Sequence, residues 1–170
     1  MQTASRAHRV PVATEEPLIG TERYDYADAF EIRLAEPDPR SAEEFVRSAL
    51  EGAPWWMRRT VLLVHRYVLR VRLGPRSSPD HILGWKIQTS EPDVLQLVAE
   101  SALLGRGAII GRSPDPSRRV ITTYLFHTRP ALARAVWKFV GPLHRRVAPD
   151  LLNRAAARST RDDHPTAVDA

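Results

Sequence analysis

Residues 81–128, HILGWKIQTSEPDVLQLVAESALLGRGAIIGRSPDPSRRVITTYLFHT, decide the fold class. Four strand-like segments, His81 to Thr89, Val94 to Ser101, Arg106 to Arg112 and Arg118 to Thr128, are separated by turn signals at Glu91-Pro92-Asp93, around Leu103 to Gly105, and at Ser113-Pro114-Asp115-Pro116. Connections this short leave no room for a crossover helix, so the spacing predicts an antiparallel meander. On the last strand Val120, Thr122, Tyr124 and Phe126 alternate with Ile121, Thr123, Leu125 and His127. Both faces are apolar enough to be covered, so periodicity alone does not say which one lines a pocket.

Upstream, the even positions from Tyr24 to Leu34 include Tyr26, Asp28, Phe30 and Ile32, a period of two that marks a further half-buried strand stopped by Pro37-Asp38-Pro39. Ser41-Ala42-Glu43-Glu44 fits a capping box, and Phe45, Val46, Ala49 and Leu50 recur at helical spacing up to Gly52, which is placed to end the helix in the left-handed conformation. Pro54 then opens a long amphipathic helix to about Leu73, with Val61, Val64, Val68 and Val71 on one stripe and Arg59, Arg66 and Arg70 on another face. Downstream, Pro130 opens a C-terminal helix whose stripe of Leu132, Val136, Val140, Leu143, Val147 and Leu151 faces the sheet. Pro142 and Pro149 inside it are expected to kink or split it, since each removes a backbone hydrogen bond. An antiparallel sheet of about five strands with its helices on one face makes an α+β domain.

At 170 residues the chain is one domain with tails: a flexible arm over 1–22, the domain over 23–158 and a disordered tail over 159–170. Without cysteine there is no disulfide framework and no thiolate metal site or nucleophile. The six histidines make no HxH or HExxH spacing, so no metal is expected, and no phosphate loop or dinucleotide fingerprint calls for a cofactor. Gly105, Gly107 and Gly111 read as room for sheet curvature. The net charge of +5 comes from an excess of arginine, but no basic run of five to eight residues occurs, so no nucleic-acid partner is expected. Neither a signal peptide nor a membrane span is legible, which gives a cytoplasmic expectation.

The stretches YADAFEIRL (26–34), LGWKIQTSEPDV (83–94) and PALARAVWKFVGPLHRRVAPDLLNRAAAR (130–158) resemble the uncharacterised domain of unknown function 2867, itself similar to the START-like, or SRPBCC, helix-grip superfamily. The resemblance covers about residues 24 to 158. It implies a strongly curved sheet gripping a long C-terminal helix, with a hydrophobic cavity between them closed by the paired helices. Members of that superfamily include lipid carriers, receptors, cyclases and inhibitors. The expected function is therefore binding or carriage of a small apolar or amphipathic molecule. A cyclase- or hydrolase-type enzyme using the same cavity, with Asp28, His81 or His127 as acid or base, is the alternative. The oligomeric state is left open.

Asp28 interrupts the apolar face beside Phe30; the expectation is a bulge or strand end that turns it to water, against a buried carboxylate with a raised pKa. His81 and Trp85 share one face of their strand; Trp85, Tyr124 and Trp137 read most simply as core aromatics, and with a gap left between them they, Asp28, Phe30, His81 and Phe126 are candidates for a ligand-binding wall. His144 falls beside the apolar stripe of the last helix, as a boundary residue or a polar group at the cavity mouth. Trp55 and Trp56, with Arg59 and Arg66 following, have the composition of an interfacial helix for anionic lipid, although tryptophans packed on the sheet are the expectation.

Overall fold

The computed structural model describes residues 5–162. Its elements are β1 (His8–Val10), β2 (Tyr26–Arg33), α1 (Ala42–Glu51), α2 (Trp55–Leu63) continued by a π-helical segment (Val64–Val68), β3 (His81–Ile82), β4 (Trp85–Ser90), β5 (Val94–Ser101), β6 (Gly105–Asp115), β7 (Arg118–His127) and α3 (Pro130–Asp162). The strands form one curved, unclosed antiparallel sheet in the order β1-β2-β7-β6-β5-β4-β3. The meander is there as its turn signals require. The distant β2 completes it by pairing with β7, Asp28 opposite Thr123 and Phe30 opposite Ile121.

Seven strands replace the expected five for two reasons. The segment read as one strand from His81 to Thr89 is a hairpin, because Leu83 (φ 50°) and Gly84 (φ 87°) both take positive φ and reverse the chain between β3 and β4. Such two-residue turns favour Asn-Gly or Asp-Gly, so Leu-Gly gave no signal. The other addition lies within the expected loose arm, where His8–Val10 pairs with Ala29 to Glu31 at the sheet edge. The same segment covers the outer face: Ile19 is buried with Val94, Ile110, Tyr124 and Phe126, and Glu16 pairs with Arg112.

Of the expected tail over 159–170, α3 runs through Asp162 and the remainder lies outside the described residues. The prolines do not split α3. Pro142 and Pro149 cannot donate to the carbonyls of Lys138 and Arg145, but Lys138 and Arg145 both lie on the exposed side of the helix, where the lost bond costs least. Leu151, Leu152 and Ala155 bury the far half of this helix against Phe30, Phe45 and Met57. Leu132, expected on the sheet side, is instead 39% exposed.

The capping box of α1 is formed: Glu44 N–H donates to Ser41 Oγ at 3.2 Å and Ser41 N–H donates to Glu44 Oε2 at 2.8 Å. Gly52 follows it in right-handed geometry (φ −77°), not the expected left-handed one. The second helix stops well short of Leu73. The Leu69 amide donates to the carbonyl of Val64, five residues back, and Arg70 takes φ 52°, which ends the helix. Val71 leaves the helical stripe to bridge Ser101, whose hydroxyl donates to the orphan Leu69 carbonyl.

Gly107 and Gly111 let two bulky groups lie directly on β6. A β-carbon would come 2.9 Å from Trp85 Cη2 at the first and 2.8 Å from Val46 Cγ2 at the second. The inner face of the sheet can thus bend around α1 and Trp85.

Candidate functional site

The alternation of each strand divides its residues between two environments. On β7 the even positions Tyr124 and Phe126 lie on the outer face with Ile19, while Ile121, Thr123, Leu125 and His127 face inward. Tyr124 and Phe126 therefore do not line the cavity. Tyr124 packs edge-on to Tyr24 at 5.1 Å, and burial pushes its phenol pKa up to about 12. This outcome turned on what covers each face, which the strand's own pattern does not contain.

Between the inner face, α1, α2 and α3 lies a cavity of about 560 Å³. Ala99, Gly107, Ile109, Ile121 and Leu125 form its floor, Ala49, Met57 and Val61 its helix-pair side, and Trp137, Val140 and Val147 its α3 side. Of the candidate residues, Phe30, Trp85, Trp137 and His144 line it. Trp56, Leu143 and Arg146 also line it while exposed to solvent, which places them at the rim. His81 is outside. Its ring lies against Gly74, and its buried Nδ1 has no partner among the described residues.

Asp28 does not turn to water. It is fully buried, accepting from the Tyr26 hydroxyl at 2.8 Å on one oxygen and facing His144 Nε2 at 3.2 Å with the other. Asp28 stays on the inward face of β2, and α3 supplies the partner that makes its burial tolerable. Burial, then the hydrogen bond and charge of Asp28, push the Tyr26 phenol pKa up. Trp137 packs on both Tyr26 (4.8 Å) and His144 (5.5 Å), tying this polar corner to the cavity wall.

Two further histidines line the cavity. His127, a candidate acid or base from the sequence, holds its Nδ1 3.2 Å from the Leu104 carbonyl. His65 carried no assigned role in the sequence, although it sits four residues after Val61 within the valine stripe. Its Nδ1 lies 2.7 Å from the Val61 carbonyl and its ring meets Trp85 edge-on at 5.7 Å. Burial pushes its pKa below the ordinary histidine value, against the Val61 hydrogen bond, and the charge of His144 adds to the lowering.

The tryptophans at the start of α2 do not pack on the sheet: Trp55 is 69% and Trp56 52% exposed, because Met57 alone of α2 turns into the core. Arg59 and Arg66 are exposed too, with Arg66 over the ring of Tyr67. From residue 52 to 79 and from 129 to 149 the chain contains no acidic residue, while Arg58, Arg59, Arg66, Arg70, Arg72, Arg76, Arg129, Arg134, Lys138, Arg145 and Arg146 fall within those two segments. No helix among the described residues is long and apolar enough to cross a membrane.

A family model described as protein of unknown function, DUF2867, matches residues 21–151. No curated protein matches the chain. Among solved structures, the crystal structure of CalU16 from Micromonospora echinospora is similar over 94% of this chain and 96% of its own, with 12% sequence identity and a TM-score of 0.30.

Proposed function

The chain belongs to the DUF2867 family, proteins of unknown function, and from the cavity it encloses we propose that it binds or carries a small apolar or amphipathic molecule between the sheet and α3. The observation that carries this reading is the cavity itself: about 560 Å³ lined mainly by aliphatic and aromatic side chains. That lies within the range of small-molecule sites, roughly 300–1,000 Å³. Apolar burial at about 25 cal/mol per Å² supports micromolar binding after association costs are met. A curved sheet wrapped on a long helix also suits the helix-grip arrangement, in which the helix pair closes the pocket. The test is mass spectrometry of molecules that co-purify with the native protein, followed by titration of what is found. Trp85 and Trp137 report occupancy through their emission, and Thr123→Phe, which fills the cavity from β7, should abolish the response. Saturable binding that survives Thr123→Phe would place the ligand elsewhere and end this reading.

A second reading concerns where such a molecule is exchanged. Trp55 and Trp56 are exposed, Trp56 stands at the cavity rim with Arg146, and the two segments flanking the rim are basic without a compensating acid. Aromatic rings beside arginines suit the headgroup layer of an anionic bilayer, so we propose that this rim makes peripheral contact with such a surface.

A further inference from the structure

The three histidines that line the cavity share one property. Each has a single ring nitrogen directed at an oxygen that accepts hydrogen bonds: His65 Nδ1 at the Val61 carbonyl, His127 Nδ1 at the Leu104 carbonyl, and His144 Nε2 at the Asp28 carboxylate. A carbonyl or carboxylate oxygen cannot donate, so in each neutral ring the proton sits on the nitrogen facing that oxygen. The tautomers are fixed by their partners, and the second nitrogen of each ring carries a lone pair. No protein partner among the described residues occupies His65 Nε2, His127 Nε2 or His144 Nδ1.

Several of the polar groups that could serve as donors within the cavity are already engaged, but the buried Trp137 indole Nε1–H has no partner among the described residues. The Ser101 hydroxyl donates to the Leu69 carbonyl and accepts from the amides of Leu103 and Leu104. Thr60 donates to the Trp56 carbonyl, and Arg106 pairs with Glu22 and lies over Phe126. Arg146 is at the exposed rim. The interior is thus a mainly apolar chamber whose available polar atoms include three imidazole acceptors beside the Trp137 indole N–H.

We propose that these imidazoles form an acceptor site and that the molecule held in the cavity is a neutral compound bearing two or more hydroxyl donors, as in a phenol or polycyclic alcohol, rather than a carboxylate. The inference rests on the carrier reading and narrows it. Against the three imidazoles a carboxylate would bring lone pairs to lone pairs, whereas a hydroxyl brings the proton the rings lack and its oxygen can still accept from the Trp137 indole N–H. Burial of His65, which disfavours its charged form, acts in the same direction.

The experiment compares 2,6-dihydroxynaphthalene with 2,6-dimethylnaphthalene, two fluorescent ligands of nearly the same shape that differ in donors. Both are titrated into the full chain and into three variants: His65→Leu, His127→Leu, and the paired change Asp28→Leu/His144→Leu, which removes both partners so that no carboxylate is stranded. With two hydroxyls to donate, the dihydroxy compound should be weakened three- to tenfold, on the order of one net hydrogen bond, by loss of each of the two imidazoles it engages, and the dimethyl compound should be unchanged or tighter in all three variants. The three changes lie on different elements, and any two variants that keep their melting transition decide the point, since at least one of them removes an engaged imidazole. If the dimethyl compound binds while the dihydroxy compound does not, or if both shift equally in the variants, the acceptor site is wrong and the carrier reading stands. If neither binds the wild-type chain at its solubility limit, the carrier reading falls and this inference with it.

Discussion

The Asp28 carboxylate and His144 Nε2 lie 3.2 Å apart across the junction of β2 and α3, and the carboxylate is wholly removed from water. Apart from the Tyr26 hydroxyl, no other hydrogen-bond partner of Asp28 is seen among the described residues. The pair is the polar tie between the first long strand and the helix that closes the cavity.

Removing one member should therefore cost more than removing both. His144→Leu strands a buried carboxylate and is expected to destabilise the fold by about 1–3 kcal/mol, whereas Asp28→Leu/His144→Leu should recover most of that loss. Urea denaturation of the wild type, both single variants and the pair gives the cycle. Additive losses would show that the two groups act independently.

Val140 is buried with Leu69, Leu104 and Ala133, holding the first half of α3 on the sheet side. Val140→Asp places an unpaired charge there and should cost about 2–4 kcal/mol. At this chain length each kcal/mol lowers the melting temperature by roughly 2–4 °C. An unchanged melting temperature would mean that α3 does not depend on this contact.

Stability should fall with pH in two separate windows. The pKa of His65 is lower in the fold than its ordinary value of 6.5, so the unfolded chain takes up the proton first. Its contribution is complete above pH 6.5 and is lost as pH falls from there toward the folded pKa. Burial opposes ionisation of Asp38, but hydrogen bonds from Arg40 outweigh it and hold the carboxyl below its ordinary 3.8; Arg118 holds Glu31 below 4.5. Their contributions disappear only as pH falls below those values. Denaturation midpoints should thus begin to decline as pH falls below 6.5, and His65→Leu should remove the part due to His65 while leaving the acid limb intact.

If the rim contacts anionic lipid, the protein should sediment with phosphatidylserine-containing vesicles, remain in solution with purely neutral ones, and be released by salt. Exposed charges are screened over about 10 Å at 0.1 M salt and about 3 Å at 1 M. Trp55→Ala/Trp56→Ala should reduce sedimentation several-fold without moving the melting temperature, since both rings are largely exposed. Equal recovery with neutral and anionic vesicles would remove the electrostatic part of the model.

Much of the architecture is local information. The Ser41–Glu44 cap, the Pro130 helix start and the turns around Pro92 and Pro116 each depend on residues within a few positions of one another, and so they fixed the α+β order of elements before any contact was known. Periodicity placed Phe30, Trp85, Trp137 and His144 on or beside apolar faces; that a cavity stands before them came from the resemblance and from tertiary packing. The hairpin at Leu83-Gly84 escaped because its turn uses Leu where Asn or Asp is the usual signal, and the end of the second helix escaped because its cap, Ser101, comes from β5. The side of β7 that meets the cavity was decided by the residue 12–24 segment covering Tyr124 and Phe126. Asp28 is buried only because α3 returns His144 to it from 116 residues away. His127 meets the Leu104 carbonyl only in the folded chain, whereas the Val61 carbonyl that His65 meets is one helical turn away and only the burial of its ring is tertiary. A residue type and its spacing set which face of an element it occupies; tertiary packing decides what covers that face and which polar atoms remain unpaired there.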